Sequence, residues 1–287
     1  MAAVTPVLEA APRSLAPAGR RRVRLWRGLT LGLAAVYFLL PLATSFWFTA
    51  YNERQGFSLA PYPRIVSAEG FGASMLLSLG LAVATIVVTL GLTLPATLAV
   101  RLGAPRLRPV LEVVCTLPLV VPPITFVSGI GTVLRFGPDA LAATPFWGTL
   151  MAIQDERFPV VLVLAYVVLA LPFAHRSLDA GLRAIDVRTL VEAARGLGAS
   201  WPYVLLRVIV PNLRSAITGA AFLTLALVFG EYTVAALLGY RTFPVWIVTV
   251  AGSEGQLSVA VSLLSLLIIW LLSLALSGAG VERRRSS

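Results

Sequence analysis

Few side chains in this sequence are of a kind that performs chemistry by itself. The chain holds one His (His175) and one Cys (Cys115), and all 23 of its basic residues are Arg. A nucleotide-binding loop of the Gly-x-x-x-x-Gly-Lys type needs a Lys, so the chain is not equipped to hydrolyse ATP alone. One His cannot supply a His-Glu-x-x-His metal site, and no catalytic or metal centre is assigned. Cys115, in an apolar run, reads as a small buried hydrophobe. His175 sits beside Arg176 with no intramembrane Asp to partner it, and reads as a helix-end or interface residue.

Two of the 13 acidic residues fall inside apolar stretches, where a carboxylate is costly and faces a cavity or a partner. Glu112 lies within a turn of the end of its stretch and is expected to snorkel to the interface. Glu231, in Phe229-Gly230-Glu231-Tyr232, is roughly 27 Å of helix beyond Leu213. Two readings stay open for it. It could line a cavity and attract a cation, or it could sit among headgroups and pair with Arg241. Pro118, Pro122 and Pro123 free backbone carbonyls and bend their helix, which suits a movable cavity wall or a purely structural kink.

The elements that must position these residues are membrane helices. Apolar residues make up 58% of the chain and charged ones 13%, with mean hydropathy +0.88, as in an all-α integral membrane protein. Six stretches reach the roughly 20 apolar residues a span requires: 29–51, 72–100, 110–134, 158–176, 213–239 and 257–279. The second is longer than needed, and its start, Gly72 to Leu77, is expected along the outer interface. The first follows Arg20-Arg21-Arg22-Val23-Arg24 and resembles a signal peptide. Its long apolar run and the lack of a clear cleavage site make it a retained anchor. Phe46, Trp47, Phe48 and Tyr51 near its far end read as interfacial anchors. The first 19 residues, rich in Ala and Pro, are expected to be disordered.

Arginine placement orients the spans. Eighteen of the 23 arginines lie in the N-terminal tail, the second-to-third and fourth-to-fifth connections and the C-terminus, and five lie on the other side. The positive-inside bias places both termini in the cytoplasm, with residues 1–28 and 280–287 as tails. It puts the 177–212 connection there too. The net charge of +10 is spread among loops, which points to membrane topology and away from nucleic acid.

The 177–212 connection is not linker-like. Asp186 followed by Thr189-Leu190-Val191-Glu192 predicts a helix start. Ala193, Ala194 and Leu197 give a small flat apolar face, and Gly198 permits a chain reversal. Ser200 is expected to cap a second helix with Pro202 in its first turn, running through Val204, Leu205 and Val208 until Pro211-Asn212 breaks it. The hairpin either docks on a protein outside the bilayer or lies on the headgroups, held by Arg207 and Arg214.

The spacing of Glu192-Ala193-Ala194, Gly198 and Val208-Ile209-Val210-Pro211 resembles the cytoplasmic signature of inner-membrane permease subunits of binding-protein-dependent ABC importers. That signature reads Glu-Ala-Ala, three residues, Gly, nine residues, Ile-x-Leu-Pro, and Val208 and Val210 stand here for Ile and Leu. The resemblance covers 72–279, with 29–51 as an extra N-terminal helix. It implies the type I ABC importer permease fold with six transmembrane helices and a coupling loop at 177–212. Glu192, Ala193, Ala194, Gly196, Gly198 and Pro211 would then couple the chain to a separate ATPase. That partner would bind ATP and Mg, and this chain would hold no cofactor. The implied partners are an ATP-binding subunit dimer, a second permease subunit (identical or homologous), an extracytoplasmic binding protein and membrane lipid. The implied mechanism is alternating access, with Pro118, Pro122, Pro123, Glu231 and Tyr232 as candidate path residues.

The run Leu227 to Val234, with Phe243-Pro244-Val245-Trp246-Ile247, looks like permeases of polyamine (spermidine/putrescine) importers. Related branches carry ferric iron, sulfate, molybdate or thiamine. An intramembrane enzyme would need a positioned nucleophile and base that this sequence does not offer. A non-transporting scaffold would need neither the proline-broken spans nor the signature loop.

Overall fold

The computed structural model describes residues 19–52, 56–142 and 144–282. The expected disorder of the first residues and the terminal Arg283 to Arg285 lie outside them. Contacts divide the chain into a unit up to Phe48 and a unit from Thr49 onward. Helix α1, Gly19–Ala50, starts ten residues before the predicted span, and its Gly28–Ala50 part is long and apolar enough to cross a membrane.

From Thr49 onward the described chain is helical apart from one hairpin, in which Tyr51–Asn52 pairs antiparallel with Gly56–Phe57. The helices are α2 (Pro61–Ser67), α3 (Phe71–Leu102), α4 (Arg108–Thr116), α5 (Pro123–Leu141), α6 (Phe146–Ala152) and α7 (Val160–Arg183). They continue with α8 (Val187–Gly196), α9 (Trp201–Asn212), α10 (Arg214–Gly230), α11 (Thr233–Leu237), α12 (Phe243–Ala251) and α13 (Gly255–Glu282). By length and composition, three helices among the described residues can cross a membrane, or five if each of two bent pairs counts as one span; Gly255–Leu271 is a shorter apolar helix.

Several predicted boundaries change. The α3 helix runs unbroken from Phe71 to Leu102, and Phe71 packs edge-on against Trp246 at 5.6 Å. The third predicted span is two pieces, bent by 96° where Pro122 and Pro123 interrupt the chain. The fourth extends to Arg183, because Leu178 and Leu182 continue its buried face. His175 is therefore two turns inside α7 and buried, where the sequence suggested a helix end. The fifth stops at Gly230, where Glu231 turns to an extended conformation (φ −86°, ψ 108°).

Three buried clusters follow one another along α3. Phe71 and Met75 pack in the first with Ile65, Phe243 and Trp246. Leu81 and Ala82 pack in the second with Val161 to Val167 and Val228. Leu94 and Leu98 pack in the third with Leu178, Leu182 and Leu213. This register makes α3 and α7 parallel and α10 antiparallel to both. Lipid tails are as apolar as leucine, so membrane helices associate through close packing of small residues and interhelical hydrogen bonds. Here α3 buries Ser74, Ser78, Thr85, Thr89, Thr93 and Thr97. On α7, the Ser177 hydroxyl donates to the Ala216 carbonyl of α10 at 2.8 Å. A Cβ added at Gly181 would lie 2.4 Å from the Ala216 Cβ.

Gly181→Val is thus expected to destabilise the bundle by about 1–3 kcal/mol, through forced separation of α7 and α10. Thermal unfolding in detergent checks this against Gly91→Ala, whose Cβ meets nothing within 4 Å and should leave the midpoint unchanged.

Candidate functional site

The candidate site begins where α7 leaves the bundle. Asp186 stands just before α8, and its carboxylate accepts the Thr189 amide at 3.3 Å and the Thr189 hydroxyl at 2.7 Å. These bonds satisfy a free amide of the first helical turn and hold the Asp186 carboxyl below its usual pKa. The predicted helix start is therefore met by side-chain chemistry.

Helix α8 is stopped as cleanly as it starts. The Gly198 amide donates to the Arg195 carbonyl at 2.9 Å and the Ala199 amide reaches back to the Ala194 carbonyl at 3.1 Å. With Gly198 at φ +83°, this is a Schellman stop, and the left-handed residue is the one that needs no Cβ. Arg195 braces the reversal from outside, with Nη1 donating to the Ala199 carbonyl at 3.0 Å and its guanidinium 5.6 Å from the Trp201 ring centroid. Sequence reasoning missed both residues, although an Arg and a Trp flanking a turn glycine were a usable signal.

The two faces of α8 differ. Val187 and Val191 are buried with Val204 and Ile209 of α9 and Leu94, Leu178 and Leu213 of the bundle. On the other side Glu192, Ala193 and Gly196 are exposed, and Leu197 is 90% exposed. Glu192 pairs with Arg188 at 3.7 Å across open surface, an interaction of small worth. A groove of about 830 Å³ runs between α8, α9 and the end of α3, lined by Pro95, Leu98, Leu102, Val191, Trp201 and Leu205. The result is a helix anchored by one apolar face that offers a flat, small-residue face with one protruding leucine.

Helix α9 departs from expectation in part. Ser200 is extended at its start but makes no capping bond. The helix ends at Asn212, one residue beyond Pro211, as Pro211-Asn212 suggested. It has π-helical turns over Val204–Ile209, and the chain bends by 79° into α10 at Leu213. Proline lacks an amide hydrogen, and the wider π turn accommodates the missing bond. The Asn212 side-chain amide supplies a donor to the Val208 carbonyl at 2.7 Å.

The candidate path residues form two groups. Pro118 lies half-buried in the turn Leu117–Leu119, and Pro122 and Pro123 are exposed at the 96° bend. Glu231 and Tyr232 form the break between α10 and α11. Val127 of α5 and Val234 and Ala235 of α11 share one buried cluster, so the helices that follow the two interruptions pack together. Both carboxylate oxygens of Glu231 accept the Val234 amide at 3.0 Å. Among the described residues Glu231 forms no ion pair, with Arg241 or any other residue. The buried Tyr166 hydroxyl lies close to the Glu231 carboxylate and the Thr242 hydroxyl. Glu112 is exposed on α4, and Cys115 is buried.

Residues 91–285 match the family model described as "Binding-protein-dependent transport system inner membrane component". The chain is also similar to the "Probable ABC transporter permease protein y4fN" of Sinorhizobium fredii (strain NBRC 101917 / NGR234). The two are 29% identical over 258 residues, which are 85% of this chain and 43% of the relative. The chain thus spans less than half the length of that relative.

The Schellman stop makes a direct prediction. Gly198→Val forces a β-branched residue into a left-handed conformation at a cost of about 1–2 kcal/mol, whereas Asn tolerates it. Limited trypsin digestion after Arg195 should speed up in G198V and stay near parental rates in G198N.

Proposed function

Because the chain belongs to the family of binding-protein-dependent transport system inner membrane components, we propose that it forms half of an ATP-driven import path and that α8 is its coupling helix. As a family member it is a multi-pass transport subunit of an ABC importer, not an enzyme. The single observation that carries the coupling role is α8 itself. It is capped by Asp186, stopped by Gly198, held on its Val187 and Val191 face, and left open at Ala193, Gly196 and Leu197. A separate ATPase subunit dimer, which binds ATP and Mg, seats Leu197 and the small face of α8 in a surface groove. A second permease subunit, identical or homologous, completes the path, and an extracytoplasmic binding protein delivers the solute. Both termini and α8 face the cytoplasm, as the arginine distribution requires.

ATP-driven closure of the ATPase pair moves the two coupling helices together, and the shared cluster of α8, α9 and the ends of α3 and α7 carries that motion into the bundle. The interruptions at Pro122–Pro123 and Glu231–Tyr232 are where the path changes shape. The solute is small and of the polyamine class, a reading supported by the run from Leu227 to Val234. Glu231 supplies the one carboxylate at the break. Ferric iron, sulfate and molybdate are the alternatives.

Leu197→Asp places a charge at the centre of the proposed contact and is expected to weaken ATPase assembly by about 2 kcal/mol or more. Copurification of the ATPase with membrane-inserted L197D measures it, and full retention would refute the docking face. For the solute, thermal-shift screening of the partner binding protein should show stabilisation by spermidine or putrescine. Stabilisation by sulfate, molybdate or ferric iron instead replaces the polyamine assignment.

A further inference from the structure

A second concentration of charge lies where α3, α4 and α7 end together, outside the coupling loop. Asp179 of α7, with its side chain 19% exposed, is bound by Arg183 one turn later, whose Nε donates to Oδ2 at 2.9 Å. Two further arginines converge on the same carboxylate from other helices. Arg101, in the last turn of α3, brings Nη1 to 3.5 Å from Oδ1, and Arg108, the first residue of α4, brings Nη2 to 3.7 Å from Oδ2.

These two distances matter. Charge-assisted Arg–oxyanion bonds close to about 2.7–2.9 Å. Arg101 and Arg108 are therefore attracted by Asp179 without being bonded to it, and among the described residues neither makes a hydrogen bond. Their planar donor forks stay open, while the carboxylate holds both guanidinium groups in one place. Glu112, on α4, is near enough for its charge to reach Arg183. With Asp179 and Glu112 both counted, the three guanidinium groups still leave positive charge in excess. All three arginines stand where apolar helices leave the bilayer core, the depth of lipid phosphates. A phosphate presents several oxygens to a pre-positioned pair of forks, the match for which arginine is suited and lysine is not.

We infer that Arg101 and Arg108, positioned by Asp179, bind a phosphate anion at the arginine-rich face of the bundle. It is carried either by an anionic phospholipid headgroup or by free phosphate. The full chain in neutral detergent tests this by thermal unfolding with added phosphatidylglycerol, phosphatidylcholine or inorganic phosphate. Phosphatidylglycerol should raise the midpoint by several degrees and phosphatidylcholine should not. An equal rise with inorganic phosphate identifies the free anion as the ligand, and its absence identifies the lipid. In the double variant R101Q/R108Q both rises should vanish, while R157Q, at the opposite end of the bundle, keeps them. If the double variant does not fold, R108Q alone, at an exposed side chain, should lose phosphatidylglycerol retained in native mass spectra. An undiminished rise or retention in these variants, or equal rises with the two lipids in the parent, overturns the site.

Discussion

The close approach of α7 and α10 supports everything that happens at the arginine-rich end of the molecule. With no side chain at Gly181, Ala216 can come within a distance that any Cβ would forbid, and Ser177 closes the gap with a bond to the Ala216 carbonyl. Around that contact Leu178, Leu182 and Leu213 are fully buried, and Val187, Val191, Val204 and Ile209 rest on them. The loop is thus an extension of the bundle core, not an appendage on a tether. In a bilayer the hydrophobic effect does not press helices together, so shape and a few polar contacts must hold such a joint. A displacement of α8 is then shared by α3, α7 and α10.

The second constraint is the satisfaction of backbone groups. Each interruption of a helix frees backbone groups, and partners from within the protein stand at three of these breaks. Beside Pro211 the Asn212 side-chain amide donates to the Val208 carbonyl. At Gly230 the partner is the Glu231 carboxylate, which turns back to the Val234 amide. At Gly198 the backbone closes on itself through Arg195 and Ala194. These are breaks of defined shape, and defined shape is what a moving part requires. Engagement with amides also changes the meaning of Glu231: its charge is partly met by the start of α11 before any solute approaches.

Features of short reach were legible in the residues. The start of α8 at Asp186 and its stop at Gly198 depend on bonds spanning three to five positions, and both stand where the side-chain types indicated. Of the expected flat face, Ala193 and Leu197 are exposed, whereas Ala194 turns inward and packs against the cluster shared by α8 and α9. Lengths and angles were less legible. Apolarity fades at His175-Arg176, yet α7 continues because Leu178 and Leu182 still have a buried cluster to enter. Pro211-Asn212 ends α9 as its residue types indicated, but the π turns over Val204–Ile209 and the 79° bend beyond had no local sign. The prolines at 122 and 123 announced a bend without its size; 96° divides the stretch into separate helices.

Composition alone determined that this is a helical membrane protein. Hydrocarbon tolerates little else. Which helix faces which was decided only by the tertiary structure. Lipid-facing and protein-facing positions are equally apolar in a membrane chain, so periodicity carries little of that information. The Phe243 amide meets the Ser78 hydroxyl across 165 residues, and the Trp246 ring meets the Glu69 carbonyl across 177. Asp179 gathers arginines from three helices. Apart from the Asp179–Arg183 pair within α7, these contacts join groups far apart in the chain, and only the packed bundle brings them together.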